Sequence, residues 1–252
     1  MATVDVDIVI ASARDLVRAG RWEQAVRLLD ATASSSGYEA GALAATRADA
    51  EVDQAWWTRR DADPARLDAA RTLAADDAQA WIVDFARLRL SYAKRLYVKL
   101  AGGSPVVDGL DAEADRLAEQ APDGAARAYV MFYRGLIAGV LDDDDATAER
   151  YWRTALDTDD EYVRSYALRH LGGLVDGLGR HDEALGLWRE STRLRQRAGF
   201  VPGVLAQLQL YPGDMTTDDV VTGWADALGL GELFRAGTTT ETTEPEVARD
   251  PA

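Results

Sequence analysis

From Ile8 to Leu233 apolar residues recur at spacings of three and four, and no stretch sustains the period-two alternation that a half-buried strand requires. This regularity confines the chain to helix, because a 3.6-residue period lines one helix face but scatters over both faces of a strand. Breakers cut the pattern into pieces: Gly20, Ser34 to Gly37, Pro64, Gly102 to Pro105, Pro122, the run Asp142 to Asp145, Gly177 with Gly179, Pro202 and Pro212. The fold class that follows is all-α, with about twelve helices in antiparallel pairs. The spacing predicts 4–19 with 21–33, 39–61 with 64–76, 78–101 with 108–120, 123–141 with 145–157, 161–178 with 181–198, and 202–211 with 217–235. The last helix opens on Thr217, Asp218 and Asp219 and carries Val220, Trp224, Leu228 and Leu233, which suits a cap over the final apolar face of a domain spanning 1–235. Residues 236–252, with Thr238 to Thr243 and two prolines, lack apolar periodicity and read as a disordered tail.

Composition narrows the function classes. At 252 residues and 47% hydrophobic, the chain has apolar material for a continuous core. With no cysteine, disulfides, thiolate metal sites and cysteine nucleophiles are excluded, and the redox compartment stays open. A formal charge of −15 repels phosphate backbones, so no nucleic-acid partner is expected. Asp5, Asp7, Arg14 and Asp15 interrupt what would be the apolar core of a signal peptide, and no uncharged apolar window reaches membrane-spanning length. The expectation is a cytoplasmic protein without a membrane partner. The absence of asparagine, and the presence of only two lysines among 28 basic residues, match a GC-rich coding bias.

One segment has a specific grammar: Leu168, Leu171, Gly172, Val175, Gly179, Ala184, Leu185, Trp188 and Ser191. It resembles a nearly complete tetratricopeptide repeat, and Leu16, Gly20, Trp22, Ala25 and Leu29, then Gly135, Ala148, Trp152 and Ala155, resemble two more. The resemblance implies an α-solenoid of stacked helix pairs in which Gly172 and Ala184 sit at a close helix crossing and Trp188 fills the adjoining space. Taking Ala25, Ala69, Ala114, Ala148 and Ala184 as equivalent, the intervals are 44, 45, 34 and 36, so only the C-terminal half keeps the family period. The resemblance also places Tyr166, Arg169, Gly173 and Asp176 of one copy, and Tyr133, Ile137 and Val140 of the preceding one, toward a concave side. The carboxylate clamp known in the family is not reproduced, since it uses asparagine and this chain has none.

The strongest local anomaly is Arg87, Arg89, Lys94, Arg95 and Lys99, five cations without an acid among them. On a helix, Trp81, Leu88, Tyr92, Arg95 and Lys99 share one sector beside a broad apolar arc, so cationic and aromatic groups form a ledge. Such a ledge could grip an acidic peptide or a planar ligand, or could instead neutralise neighbouring acids. Arg189, Arg193 and Arg197 read as a solvated, ion-paired line, and Asp142 to Asp145 as a helix start. His181 stands where the repeat usually has an aromatic residue, which implies packing. Trp56 and Trp57 diverge by 100° on a helix and cannot both face one core stripe. No HExxH, nucleophile elbow or phosphate loop is present, so no catalytic residue, cofactor or metal is expected.

The leading expectation is an interaction scaffold that receives an acidic peptide, a protein or a second copy of itself through Trp81, Arg87, Tyr92, Lys94, Arg95, Lys99, Tyr133, Tyr166 and Arg169. The alternative is a small-molecule-binding protein or enzyme using a pocket between helices 39–61 and 78–101.

Overall fold

The computed structural model describes residues 5–106, 108–208 and 225–230. Among them the chain forms eleven α-helices, one π-helical turn and no strand. In chain order the helices are α1 (Val6–Arg18), α2 (Trp22–Ala31), α3 (Gly37–Thr58), α4 (Pro64–Leu73), α5 (Asp77–Leu100) and α6 (Leu110–Glu119), followed by α7 (Gly124–Leu136), the π-helical turn Ile137–Leu141, α8 (Asp145–Thr154), α9 (Glu161–Gly177), α10 (His181–Arg197) and α11 (Val201–Leu208). The predicted cap 217–235 and tail 236–252 lie outside the described residues, apart from 225–230.

Acidic residues set many of the helix starts. Asp5, Asp63, Asp76, Asp123, Asp144 and Asp160 each accept a hydrogen bond from a backbone N–H in the first turn that follows, and Ser36 does the same for α3. Each such cap stabilises its helix by about 0.5–2 kcal/mol, and the carboxylates also complement the helix dipole. The Asp142 to Asp145 run therefore does start a helix, with Asp144 Oδ1 3.0 Å from Thr147 N.

One boundary differs in kind. The helix expected over 123–141 is α7 followed by a π-helical turn, whose wider ring is closed by the N–H of Asp142 donating to Ile137 O at 3.1 Å. Gly139 permits this turn to meet α8, since a Cβ there would stand 2.7 Å from the Cβ of Ala148.

Each helix packs on its successor, and α1 with α3, α3 with α5, and α7 with α9 also meet. Ala25, Ala114, Ala148 and Ala184 are fully buried, as expected of residues at close crossings. Ala69 is exposed, and the buried Ala70 takes its place beside Leu67, a correction of one residue in the register of α4. The glycine and tryptophan pairs also meet: a Cβ on Gly172 would lie 2.5 Å from Trp188 Cδ1, and Gly135 faces Trp152 in the same way. The two ends of the described chain share a core, in which Trp22 and Trp57 pack with Phe200, Leu205 and Leu230. The rings of Trp57 and Phe200 are 5.5 Å apart and nearly perpendicular. Helices α1, α3, α5, α7 and α9 all contribute side chains to an interior.

Candidate functional site

Four helices each turn one stripe toward that interior. Val52, Asp53 and Trp56 come from α3, Arg89, Tyr92, Ala93 and Leu96 from α5, Tyr129, Phe132, Tyr133 and Leu136 from α7, and Tyr166 and His170 from α9. The offsets of three, four and seven are those of a single helical face, so the wall is written into the local periodicity of each helix. The π-helical turn adds Val140. The result is a chamber of about 190 Å³, walled by aromatic rings and aliphatic side chains, with exposed Arg60, Asp61 and Lys94 at its mouth.

The rings support one another at aromatic packing distances. Tyr92 and Tyr133 meet edge-on at 5.7 Å, Phe132 lies 5.1 Å from Tyr166, and Trp56 lies 6.1 Å from Tyr92. The His170 ring lies tilted between those of Phe132 and Trp152, with centroids at 5.3 and 5.2 Å. Burial, with Arg169 and Arg195 nearby, lowers the His170 imidazole to about 3, so it is neutral at physiological pH. Burial pushes the hydroxyls of Tyr92, Tyr129, Tyr133 and Tyr166 upward, leaving them protonated.

At the back of the chamber lies a buried charge cluster. Asp53 Oδ2 accepts from Trp22 Nε1 at 2.9 Å, while Oδ1 stands 3.7 Å from Arg89 Nη1. Arg89 Nη2 donates to the Asp49 carboxylate, and the guanidinium lies 5.5 Å from the Phe85 ring centroid. Burial pushes the Asp53 carboxyl up to about 6, against the opposing pull of Arg89 and the Trp22 indole. Burial also works against the charge of Arg89, but Asp49 and its other neighbours hold it well above its ordinary value. Asp53, Arg89 and Tyr129 also line a second cavity of about 290 Å³ toward α1, which reaches Arg14, Arg18, Asp123 and Asp160. The cluster therefore stands as a partition between two chambers.

The expected ledge of α5 is divided by its neighbours. Tyr92 and Lys94 line the first chamber, together with Tyr133 and Tyr166. Trp81 is buried, donates from Nε1 to Leu117 O at 2.8 Å and borders the second cavity. Arg87 pairs with Asp68 at 2.6 Å, Arg95 donates to the carbonyls of Val106 and Ser91, and Lys99 binds Asp143 at 2.7 Å. These three cations tie α5 to α4, to its own following loop and to the turn before α8. Arg169 hydrogen-bonds Ala206 O at 3.0 Å and borders a separate cleft with Gly173, and burial lowers it to about 10. Of the other residues placed on the concave side, Val140 lines the chamber, whereas Ile137 is wholly buried core and Asp176 pairs with His181. His181 is a correction: its side chain is 73% exposed and hydrogen-bonded to Asp176 rather than packed. Trp57 belongs to the core and Trp56 to the chamber wall, which resolves the paired tryptophans.

Asp53, Tyr129 and Phe132 were not singled out by sequence reasoning. Tyr129 and Phe132 share the stripe of Tyr133, a signal that could have found them, whereas Asp53 looks like any polar helix residue. Among the described residues no helix is long and apolar enough to cross a membrane, and no group of three or more acidic or histidine side chains stands where it could hold a metal. No protein-family model matches the chain, and no curated protein or solved structure is significantly similar to it.

Proposed function

We propose that the protein is a ligand-binding protein of stacked helix pairs, whose ligand is a small, largely apolar molecule held between α3, α5, α7 and α9. The observation that carries this reading is the first chamber itself, an aromatic interior that also contains a desolvated charge cluster. A chain selected only for stability would fill such a space, because voids forfeit packing and buried ions cost solvation. Cavities of this size accept ring-sized molecules, and buried ionisable groups in a concave pocket favour a functional site over packing. The grammar resembling tetratricopeptide repeats supports the stacked arrangement of the helix pairs.

An interaction role draws on a different surface. Leu100 and Val106 are 69% and 70% exposed at one end of α5, and apolar groups so placed suit contact with a protein partner.

A small-molecule screen by thermal shift tests the chamber. Val140 is half-buried on the π-helical turn, so Val140→Trp should occupy the chamber with an indole at modest cost to the fold. Ligands that raise the melting temperature of the wild type are expected to lose that effect in Val140→Trp. Ligands that stabilise both proteins equally bind elsewhere and contradict the reading.

A further inference from the structure

Resting on the chamber reading above, we propose that the ligand is an organic amine, its ammonium against Asp53 Oδ1 and its apolar body, about one ring in size, among the aromatic side chains. Three observations converge on this class. Arg89 spends its hydrogen bond on Asp49, whose side chain is 38% exposed, and stands 3.7 Å from Asp53 Oδ1, so the buried Asp53 carboxylate has no cation hydrogen-bonded to it. Asp53 Oδ1 accepts no hydrogen bond from any described residue, while Oδ2 already has the Trp22 indole, so the open position calls for a donor. Trp56, Tyr92, Tyr129, Phe132, Tyr133 and Tyr166 line the same chamber as Asp53, and ring faces are favourable partners for a desolvated cation.

Other charged groups do not supply that donor. Arg89 lies beyond hydrogen-bond distance of Oδ1 and is drawn toward Asp49. Its Nε is buried without a partner and out of a ligand's reach. Arg195 donates to Gly203 O, and Arg169 to Ala206 O, so both direct N–H groups at α11. Lys94 and Arg60 are exposed at the mouth, where solvent screens them. His170, the basic group within the wall, is neutral. The groups facing Asp53 are thus Asp49 from α3, Arg89 from α5, Tyr129 and Tyr133 from α7, Tyr162 and Tyr166 from α9, and the Trp22 indole from α2. Arg14 and Arg18 of α1 stand across the second cavity.

Calorimetric titration with three probes of similar shape tests the assignment: 2-phenylethylamine, 2-phenylethanol and 3-phenylpropanoate. The amine is expected to bind at least about tenfold more tightly than the alcohol, the carboxylate least well, and Asp53→Asn to abolish the amine's advantage while leaving the alcohol unchanged. Asparagine keeps an oxygen for the Trp22 indole, and a wild-type measurement guards against misfolding of the variant. Amine affinity should rise between pH 5 and pH 7, with a proton released on binding that is detected by comparing two buffers. Alcohol or carboxylate binding as tight as the amine, lost in Val140→Trp, would overturn the amine while leaving the chamber in place. Unchanged amine binding in folded Asp53→Asn, or no binding by any probe, also overturns it, and the screen with Val140→Trp then decides the chamber independently.

Discussion

Replacing Arg89 by leucine is expected to cost about 3–5 kcal/mol of folding stability at pH 8, because removing one partner of a buried ion pair leaves its counter-charges desolvated and uncompensated. Both members are involved here: Arg89 and Asp53 are 6% and 8% exposed at their side chains, and Asp49 loses its partner at the same time. The loss should depend on pH in a fixed direction. The Asp53 carboxyl titrates at about 6 in the folded wild type, above the value of about 3.9 in an unfolded chain. The folded state therefore holds a proton that the unfolded state has released between those values, and the contribution of Asp53 to stability falls as pH rises through that window. Without Arg89 the folded value moves higher still, so the penalty should be smaller at pH 5, where Asp53 can protonate, than at pH 8. Urea unfolding at the two pH values measures this. Equal penalties at both would mean that Asp53 is not the group left uncompensated.

A second large effect is expected at a position with no charge. Gly172→Val should destabilise by about 3 kcal/mol, at the upper end of what overpacking typically costs. The reason is local: a Cβ at 172 would enter the indole of Trp188, which is buried and fixed by its Nε1 donating to Arg169 O at 3.1 Å. The ring cannot withdraw without breaking that bond. The neighbouring glycine supplies the contrast, since a Cβ on Gly173 would meet nothing within 4 Å and the residue is exposed. Gly173→Ala should stabilise by up to about 1 kcal/mol through helix propensity alone. Thermal melts of the two variants read opposite signs from adjacent residues, and a matching sign would contradict the assigned crossing of α9 and α10.

These two predictions mark what could be read from the sequence and what could not. The glycine, alanine and tryptophan pattern around Gly172, Ala184 and Trp188 is local, so the helix pair and its crossing were legible from residues less than twenty apart. Helix starts were legible for the same reason, because a capping aspartate acts on its own first turn. The charge cluster was not, since Arg89 meets Asp49 across 40 residues and nothing in either segment distinguishes a buried acid from a solvated one. The basic run on α5 looked like a site because its cations lie together, whereas their partners, Asp68 on α4 and Asp143 ahead of α8, lie in other elements. The core shared by the two ends of the described chain rests on Trp57 meeting Phe200, a contact between distant parts of the chain that no periodicity encodes. The π-helical turn escaped because its apolar residues continue the stripe of α7, and the change of ring size appears only in the hydrogen bond from Asp142 to Ile137.

The central claim is that the first chamber is where a ligand sits. A crystal structure of the wild-type protein bound to the strongest ligand from the thermal-shift screen tests it most directly. Density for the ligand between Trp56 and Tyr166, beside Asp53, is the predicted result. Density on the outer surface, with the chamber closed or filled by its own side chains, would contradict it.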